Sequence, residues 1–334
     1  MAAKEFTRVL PEFEKHRHEM VAWKAAMHQS AGWYGSAEAA RIAKNVIAYQ
    51  HGNGGWTKNV DMALPNVGDT AKEGTTIDNG ATHTQLRYLA KVYEATKRAE
   101  YLAAINNGVD YLLAAQYSNG GWPQFYPLRH GYWDHITYND DAMIGVMELL
   151  RDISKLVPEK SAKIQGALGK GLEVILKTQI REGGKLTAWC AQHDEITLAP
   201  AMARKYEHPS ISGSESVGVV EYLMSIARPS PEVIAAIHGA VNWFKANRIP
   251  GIRIERVNGD KVVVQDAEAP PQWARFYELG TDKPIFSGRD SVVKYSIAEI
   301  EAERRNGYNW YSDRPAKLLT AEYPAWVQRN GLGK

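Results

Sequence analysis

A glutamine that closes an apolar helical run, followed by an Asn-Gly-Gly-Trp turn, occurs twice in this chain and a third time in looser form. Gln50, Gln116 and Gln179 end the runs Val46-Ile47-Ala48-Tyr49, Leu112-Leu113-Ala114-Ala115 and Ile175-Leu176-Lys177-Thr178. Asn53-Gly54-Gly55-Trp56, Asn119-Gly120-Gly121-Trp122 and Gly183-Gly184 with Trp189 follow, the tryptophans standing 66 and 67 residues apart. The segments behind these turns repeat as well. Ala81 to Leu89 lies over Ala142 to Leu150 at an offset of 61, and Ile144–Leu150 over Val217–Leu223 at an offset of 73. Three helix pairs result, at about 36–98, 99–158 and 160–228. A helix pair cannot bury its apolar stripe alone, so neighbours must stack, and pairs arranged in a ring give an α/α toroid. A straight superhelix of the same pairs is the alternative.

The chain has 334 residues, 44% hydrophobic and 23% charged, enough for a sizeable core, and a single domain spanning 1–334 is expected. A net charge of +2, with no basic run longer than Arg304-Arg305, removes the bulk electrostatic case for nucleic acid or membrane. An acidic partner must therefore be met by local cations. No stretch of 18 apolar residues is present, hence no spanning helix is expected. Residues 1–30 lack the apolar centre of a signal peptide, so either the protein is cytosolic or a leader has been removed. Cys190 is the sole cysteine, which excludes intramolecular disulfides and multi-cysteine zinc sites; beside Trp189 it reads as an inert packed thiol.

Along the chain, Trp23 and Trp33 anchor one or two helices ahead of a first repeat helix at Ser36–Gln50. The connection from Trp56 to Thr76, carrying Asp61, Asp69 and Lys72, is long for a connector and has the length of a functional loop. A helix is expected from Asp78, with Ala81, Leu86, Leu89, Ala90 and Tyr93 as its stripe. The second loop, 117–138, is crowded with Trp122, Phe125, Tyr126, Tyr132 and Trp133; the third, 180–213, is the longest and most polar. A further helix is expected over Ala235–Ala246. Arg253 to Val264 alternates around Asn258-Gly259, a strong hairpin signal. Turns and short strands over 266–296 and a helix over 296–304 complete a mixed, lid-like flank at 250–330.

In such a ring the Gly-Gly-Trp loops, Asp78-Asn79, Asp140-Asp141 and Ser212–Glu215 fall at one end and make a cleft. Asp78 and Asp140, taken singly, read as helix N-caps. Two carboxylates with Asn79, Asn139 and Asp141 exceed what two caps require, and such hard oxygen ligands suit Ca²⁺. Trp56 and Trp122 either plug the ring ends or, if exposed, offer platforms for sugar rings. Arg129, Lys185, Arg204, Lys205 and Arg289 lie in the same loops or the flank, where arginine beside carboxylates suits an acidic ligand. His193-Asp194-Glu195 reads as a turn rather than a metal pair, because no second histidine stands at ligand spacing.

Several blocks in order bring a resemblance: Asn119 to Gln124, Ile136 to Met143, Thr187 to His193, Ala203 to Glu207, Trp273 to Glu278, Phe286 to Asp290 and Arg305 to Tyr311. From about residue 30 to 330 the chain resembles the polysaccharide lyase family 10 pectate lyases. The resemblance implies a mainly α (α/α)₃ toroid, cleavage of polygalacturonate (de-esterified pectin) by Ca²⁺-dependent β-elimination, and a secreted enzyme, expected as a monomer. It places the metal on Asp78, Asn79 and Asp140 and the base, an arginine, on Arg204. Substrate contacts are assigned to Lys185, Arg289, Trp122, Tyr138 and Asp141.

Three other readings compete. The Gln50 to Trp56 block also resembles the Gln-Trp repeat of terpene cyclases, but loops rich in Arg, Lys and Asn disfavour an apolar substrate. An inverting α/α glycoside hydrolase would use two carboxylates as acid and base. A non-catalytic sugar-binding protein would hold polygalacturonate without releasing product.

Overall fold

The computed structural model describes residues 21–66, 68 and 74–332. Asp69, Lys72 and most of the expected N-terminal helical segment lie outside the described residues. Among the described residues, seven longer helices make the body: α1 (Ala37–Ala48), α2 (His83–Thr96), α3 (Ala99–Ala115), α4 (Ala142–Ile153), α5 (Ser161–Thr178), α6 (Glu215–Met224) and α7 (Pro231–Ala246). Ser36 caps α1 by accepting the Ala39 N–H at 3.1 Å, and Ser230 caps α7 with Pro231 in its first turn. That cap moves the start of α7 four residues ahead of the expected Ala235.

Helices α2, α4 and α6 touch in succession as one row, and α1, α3, α5 and α7 as a second row. Helix α2 packs on α3, α4 on α5 and α6 on α7 across short connections. Helix α6 is buried almost all round and so is apolar without a polar face, whereas α4 keeps a narrow polar stripe of Glu148, Arg151 and Asp152 at its outer end. The long loops leave the second row and return as the first.

The repeated sequence is accounted for by repeated bonds. The Gln50 amide donates to Gly54 O and Ala104 O, both at 2.9 Å; Gln116 donates to Gly120 O and Ala167 O, both at 2.9 Å. Gln179 does the same to Thr187 O at 2.8 Å and Ala236 O at 2.9 Å. Each glutamine thus staples its own loop to the next helix of the second row. Gly54 (φ 93°) and Gly120 (φ 100°) turn there in the left-handed region, and a Cβ on either would lie 2.2 Å from the Asn107 or Lys170 carbonyl oxygen. Trp56, Trp122 and Trp189 are fully buried, with their indole N–H groups on Val46 O, Leu112 O and Ile175 O at 2.7, 2.8 and 2.8 Å. They plug the ends of the helices.

Gln116→Ala removes two donors and strands two carbonyls where water is scarce. The expected loss is about 2 kcal/mol of unfolding free energy, read from urea titration; a loss below about 0.5 kcal/mol would show that the staple holds nothing.

Among the described residues the strands form six two-stranded sheets. The long hairpin pairs Ile252–Val257 with Asp260–Gln265 and turns at Asn258 (φ 52°) and Gly259 (φ 84°), as its sequence indicates. The helix expected over 296–304 is instead a 3₁₀ turn, Ile297–Glu299, and a separate helix at Ala302–Gly307, because the backbone between them is extended at Ile300 (ψ 157°) and Glu301 (ψ 145°). A second, smaller apolar cluster forms in this flank around Phe276, Phe286, Tyr308 and Trp310, with Tyr206 from the third loop. It fixes Arg275 and Tyr308 beside the loop ends.

Candidate active site

The same backbone bond begins each return from loop to helix. Thr76, Thr137 and Ser212 donate their N–H to Trp56 O, Trp122 O and Trp189 O at 3.1, 3.1 and 2.7 Å. Counting from these residues sets Asp78 over Asn139 and Asn79 over Asp140. Backbone angles agree: Asn79 has φ 51° and Asp140 φ 52°. This is the register given by the 61-residue offset of the sequence, so Asp78 and Asp140 are not equivalent positions of the repeat. Neither aspartate caps a helix. Asp78 lies in a 3₁₀ turn ahead of α2, which starts only at His83, and Asp140 lies in a left-handed turn ahead of α4. Asn and Asp tolerate this region best, and such conformations cluster at functional sites.

Adjacent loops are tied to each other. Ile77 N–H bonds to Gln124 O at 3.0 Å, and the Tyr138 and Asn139 N–H groups bond to Ala191 O at 2.9 and 3.0 Å. These ties bring Lys58, Asp78, Asn79, Gln124, Tyr132, Trp133, Asn139, Asp140, Arg204 and Glu207 around one polar depression. Asp140 and Arg204 also line its continuation past Arg275, Tyr308, Arg256 and Lys261.

Asp78 is buried, and one carboxylate oxygen, Oδ2, meets the Lys58 ammonium. The other, Oδ1, is buried with no hydrogen-bond partner. Asp140 Oδ2 accepts from the Asn139 amide at 2.8 Å, and its Oδ1 stands 3.5 Å from the Arg275 guanidinium. Arg275 also donates to Asn139 Oδ1 at 3.1 Å and pairs with buried Glu215. An orphaned, buried carboxylate oxygen beside a second carboxylate and the exposed Asn79 amide is a donor set suited to Ca²⁺. The metal expected on Asp78, Asn79 and Asp140 therefore fits the side chains present.

The charges are held apart in a partly dry site. Burial raises the pKa of Asp140; Arg275 works against that, while Glu215 and Asp78 add to it. Burial also disfavours the charged Arg204, but hydrogen bonds and charge from Glu207 outweigh it and hold the guanidinium above the ordinary arginine pKa. Glu207 takes Arg204 N–H at 3.0 Å, Nε at 2.9 Å and a terminal nitrogen at 2.9 Å, and accepts the Tyr308 hydroxyl at 2.7 Å. One carboxylate three residues on thus keeps the metal-free Arg204 charged.

Other expected substrate residues stand elsewhere. Trp122 is in the core, and Tyr138 is fully buried with its hydroxyl 2.8 Å from Thr178 Oγ1, so neither presents a face to a sugar. Asp141 turns to Arg314, 3.0 Å away, and packs where Gly218 has no side chain. Lys185 is exposed on the short hairpin that pairs Arg181–Glu182 with Lys185–Leu186, and Arg289 is exposed and bound to Glu303 at 2.9 Å. Neither lines the depression. His193 is buried and satisfied by Cys190 N–H and Leu198 O, and Asp194 closes a turn by accepting from Ile196 and Thr197. His135, Asp194 and Glu195 do gather within 4.8 Å, His135 Nδ1 lying 2.9 Å from Glu195, but none of them lines the depression. Cys190 is buried and its thiol pKa is raised by that burial.

Lys58, Arg275, Glu207 and Glu215 complete the site without having been assigned a role from sequence. The blocks Trp273 to Glu278 and Ala203 to Glu207 contained the signals for Arg275 and Glu207, and Glu215 stood in the stretch expected at the cleft; Lys58 had none beyond charge in a loop.

Residues 50–319 match the family model described as pectic acid lyase. A solved Family 10 polysaccharide lyase from Cellvibrio cellulosa is 34% identical, with a TM-score of 0.79 over 89% of this chain and 95% of that chain. A point mutant of the Family 10 lyase from the same organism, in complex with trigalacturonic acid, is also 34% identical, with a TM-score of 0.78 over 90% of this chain and 95% of that one. No curated protein sequence matches the chain.

Proposed function

The chain belongs to the pectic acid lyase family and is a polysaccharide lyase, and from that premise we propose that it cleaves polygalacturonate by calcium-assisted β-elimination, leaving 4,5-unsaturated oligogalacturonides. The observation that carries this reading is the convergence of Asp78, Asn79, Asn139 and Asp140 with Arg204 and Arg275 around one depression. Calcium held by Asp78, Asn79 and Asp140 would place positive charge against the substrate carboxylate, where negative charge grows as C5 loses its proton.

In this reading the chain's own groups divide the remaining work. Arg204, at the wall shared by both parts of the depression, takes the C5 proton. The C5–H electron pair forms the C4=C5 bond, and the glycosidic oxygen leaves C4 with its pair and takes a proton from water. Arg275, held by Glu215, is a buried cation that keeps Asp140 and Asn139 in place and faces the same anionic sugar. No nucleophile and no covalent intermediate are required. The same reading treats 1–334 as one secreted, monomeric catalytic domain and its hairpins as the units of an (α/α)₃ toroid. Support for the toroid is the pair of helix rows in register.

The substrate's charge is open to direct test. Polygalacturonate should be cleaved at least tenfold faster than highly methyl-esterified pectin at equal concentration, because esterification removes the carboxylates that the cation site recognises. Equal rates of unsaturated-product formation on the two polymers would refute the substrate.

A further inference from the structure

We propose that Lys58 is a built-in counter-ion of the metal site: its ammonium holds the cation seat on Asp78 when no metal is bound and has to be displaced before the metal enters. This rests on the reading of Asp78, Asn79 and Asp140 as the metal's residues. The Lys58 ammonium lies 2.5 Å from Asp78 Oδ2, its side chain 28% exposed against 7% for the aspartate. Asp78 is thereby split, one oxygen neutralised by lysine and the other buried without a partner. Its orientation does not depend on the lysine, since the Asp78 N–H is fixed on Thr76 Oγ1 at 3.0 Å and the turn is tied to Gln124.

A dication and an ammonium within about 4 Å of each other repel strongly even at an effective dielectric of about 20. That repulsion sets the two in competition for Asp78. The ammonium has somewhere to go. Lys58 and Asn79 form the wall between the depression and a neighbouring groove lined by Trp23, Lys24, Asp61 and Arg87. Its stem is the long, flexible lysine chain, half-buried beside the Phe125 ring, 5.6 Å from the ammonium. Asp140 has Arg275 beside it, but without the lysine the buried Asp78 carboxylate of the metal-free site would be left unpaired, which is costly. The lysine removes that cost, and in doing so sets the metal affinity: only the fraction of molecules with the ammonium displaced can take up the ion.

A structural tether and a counter-ion predict opposite signs. If Lys58 only ties its loop to Asp78, removing it loosens the site and weakens the metal. If it is a competitor, removing it tightens the metal. Calcium should be titrated calorimetrically into substrate-free wild-type protein, Lys58→Met, Lys58→Gln, Lys58→Arg and Asp140→Ala, with circular dichroism confirming the fold of each. The expected result is a Kd three- to tenfold lower for Lys58→Met and Lys58→Gln, on the scale of one partly exposed ion pair, with Lys58→Arg restoring the wild-type value. Equal or weaker binding by both neutral variants, or no calcium binding by any of the chains, overturns the counter-ion. Wild-type affinity in Asp140→Ala would instead overturn the metal assignment on which it rests.

Discussion

Asp78→Ala should lower kcat/KM on polygalacturonate by about 10³-fold or more at low calcium, the scale of losing a main electrostatic stabiliser of the transition state. The helical far-ultraviolet spectrum should persist. Asp78 is a poor stabiliser of the fold: it is buried, one oxygen has no partner, and it caps no helix. Removing it takes away a desolvated charge and leaves Lys58 free to reach water, so the melting temperature should move by only a few degrees. Asp140→Ala should lose activity comparably but is the less clean test. Alanine at φ 52° adds about 1–2 kcal/mol of backbone strain of its own. Wild-type turnover by Asp78→Ala at low calcium would show that the metal is held elsewhere.

Arg204→Lys and Arg204→Ala should each lower kcat by 10²-fold or more with KM little changed, since loss of a general base typically costs that much. The pH dependence separates a base from a clamp. A base works only when deprotonated, and Glu207 holds the Arg204 pKa above its ordinary value despite burial. The neutral form is therefore a small minority at neutral pH and grows about tenfold per pH unit below the pKa, so kcat/KM should climb through the alkaline range up to the limit of stability. A clamp gives a flat profile there. Glu207→Gln weakens the hold on the charged form and should move the rising limb to lower pH, at some cost in positioning. Retention of more than about a tenth of wild-type kcat at saturating substrate by either Arg204 variant would remove it from the base role.

Sequence reasoning reached the helix pairs because the pattern that encodes them is local and repeated. Glutamine at the end of a run, glycine where the chain turns in the left-handed region and tryptophan below it make the same bonds three times over. The 61-residue offset between Ala81 and Ala142 already sets Asp78 on Asn139 and Asn79 on Asp140; reading both aspartates as caps hid that register. Capping statistics describe helix starts in general, whereas these turns are held by bonds to the next loop, Gln124 for one and Ala191 for the other. The same dependence on a neighbour buried Trp122 and Tyr138, whose partners Leu112 and Thr178 lie on second-row helices. Arg275 arrives 136 residues after Asn139, from a flank organised by its own apolar cluster. No spacing rule links the two. Glu207 shows how a short range is misjudged: a carboxylate three residues from Arg204 was legible as a pairing partner, but its buried position, which lets it outweigh desolvation, follows only from the flank closing over it.

The central claim, calcium-assisted elimination, is tested most directly by incubating polygalacturonate with the protein and following the ultraviolet absorbance of the C4=C5 bond conjugated to the carboxylate. The predicted result is a rise in the presence of calcium that stops on adding a chelator and resumes when calcium is restored in excess. New reducing ends without the chromophore, or a rise indifferent to the chelator, would contradict it.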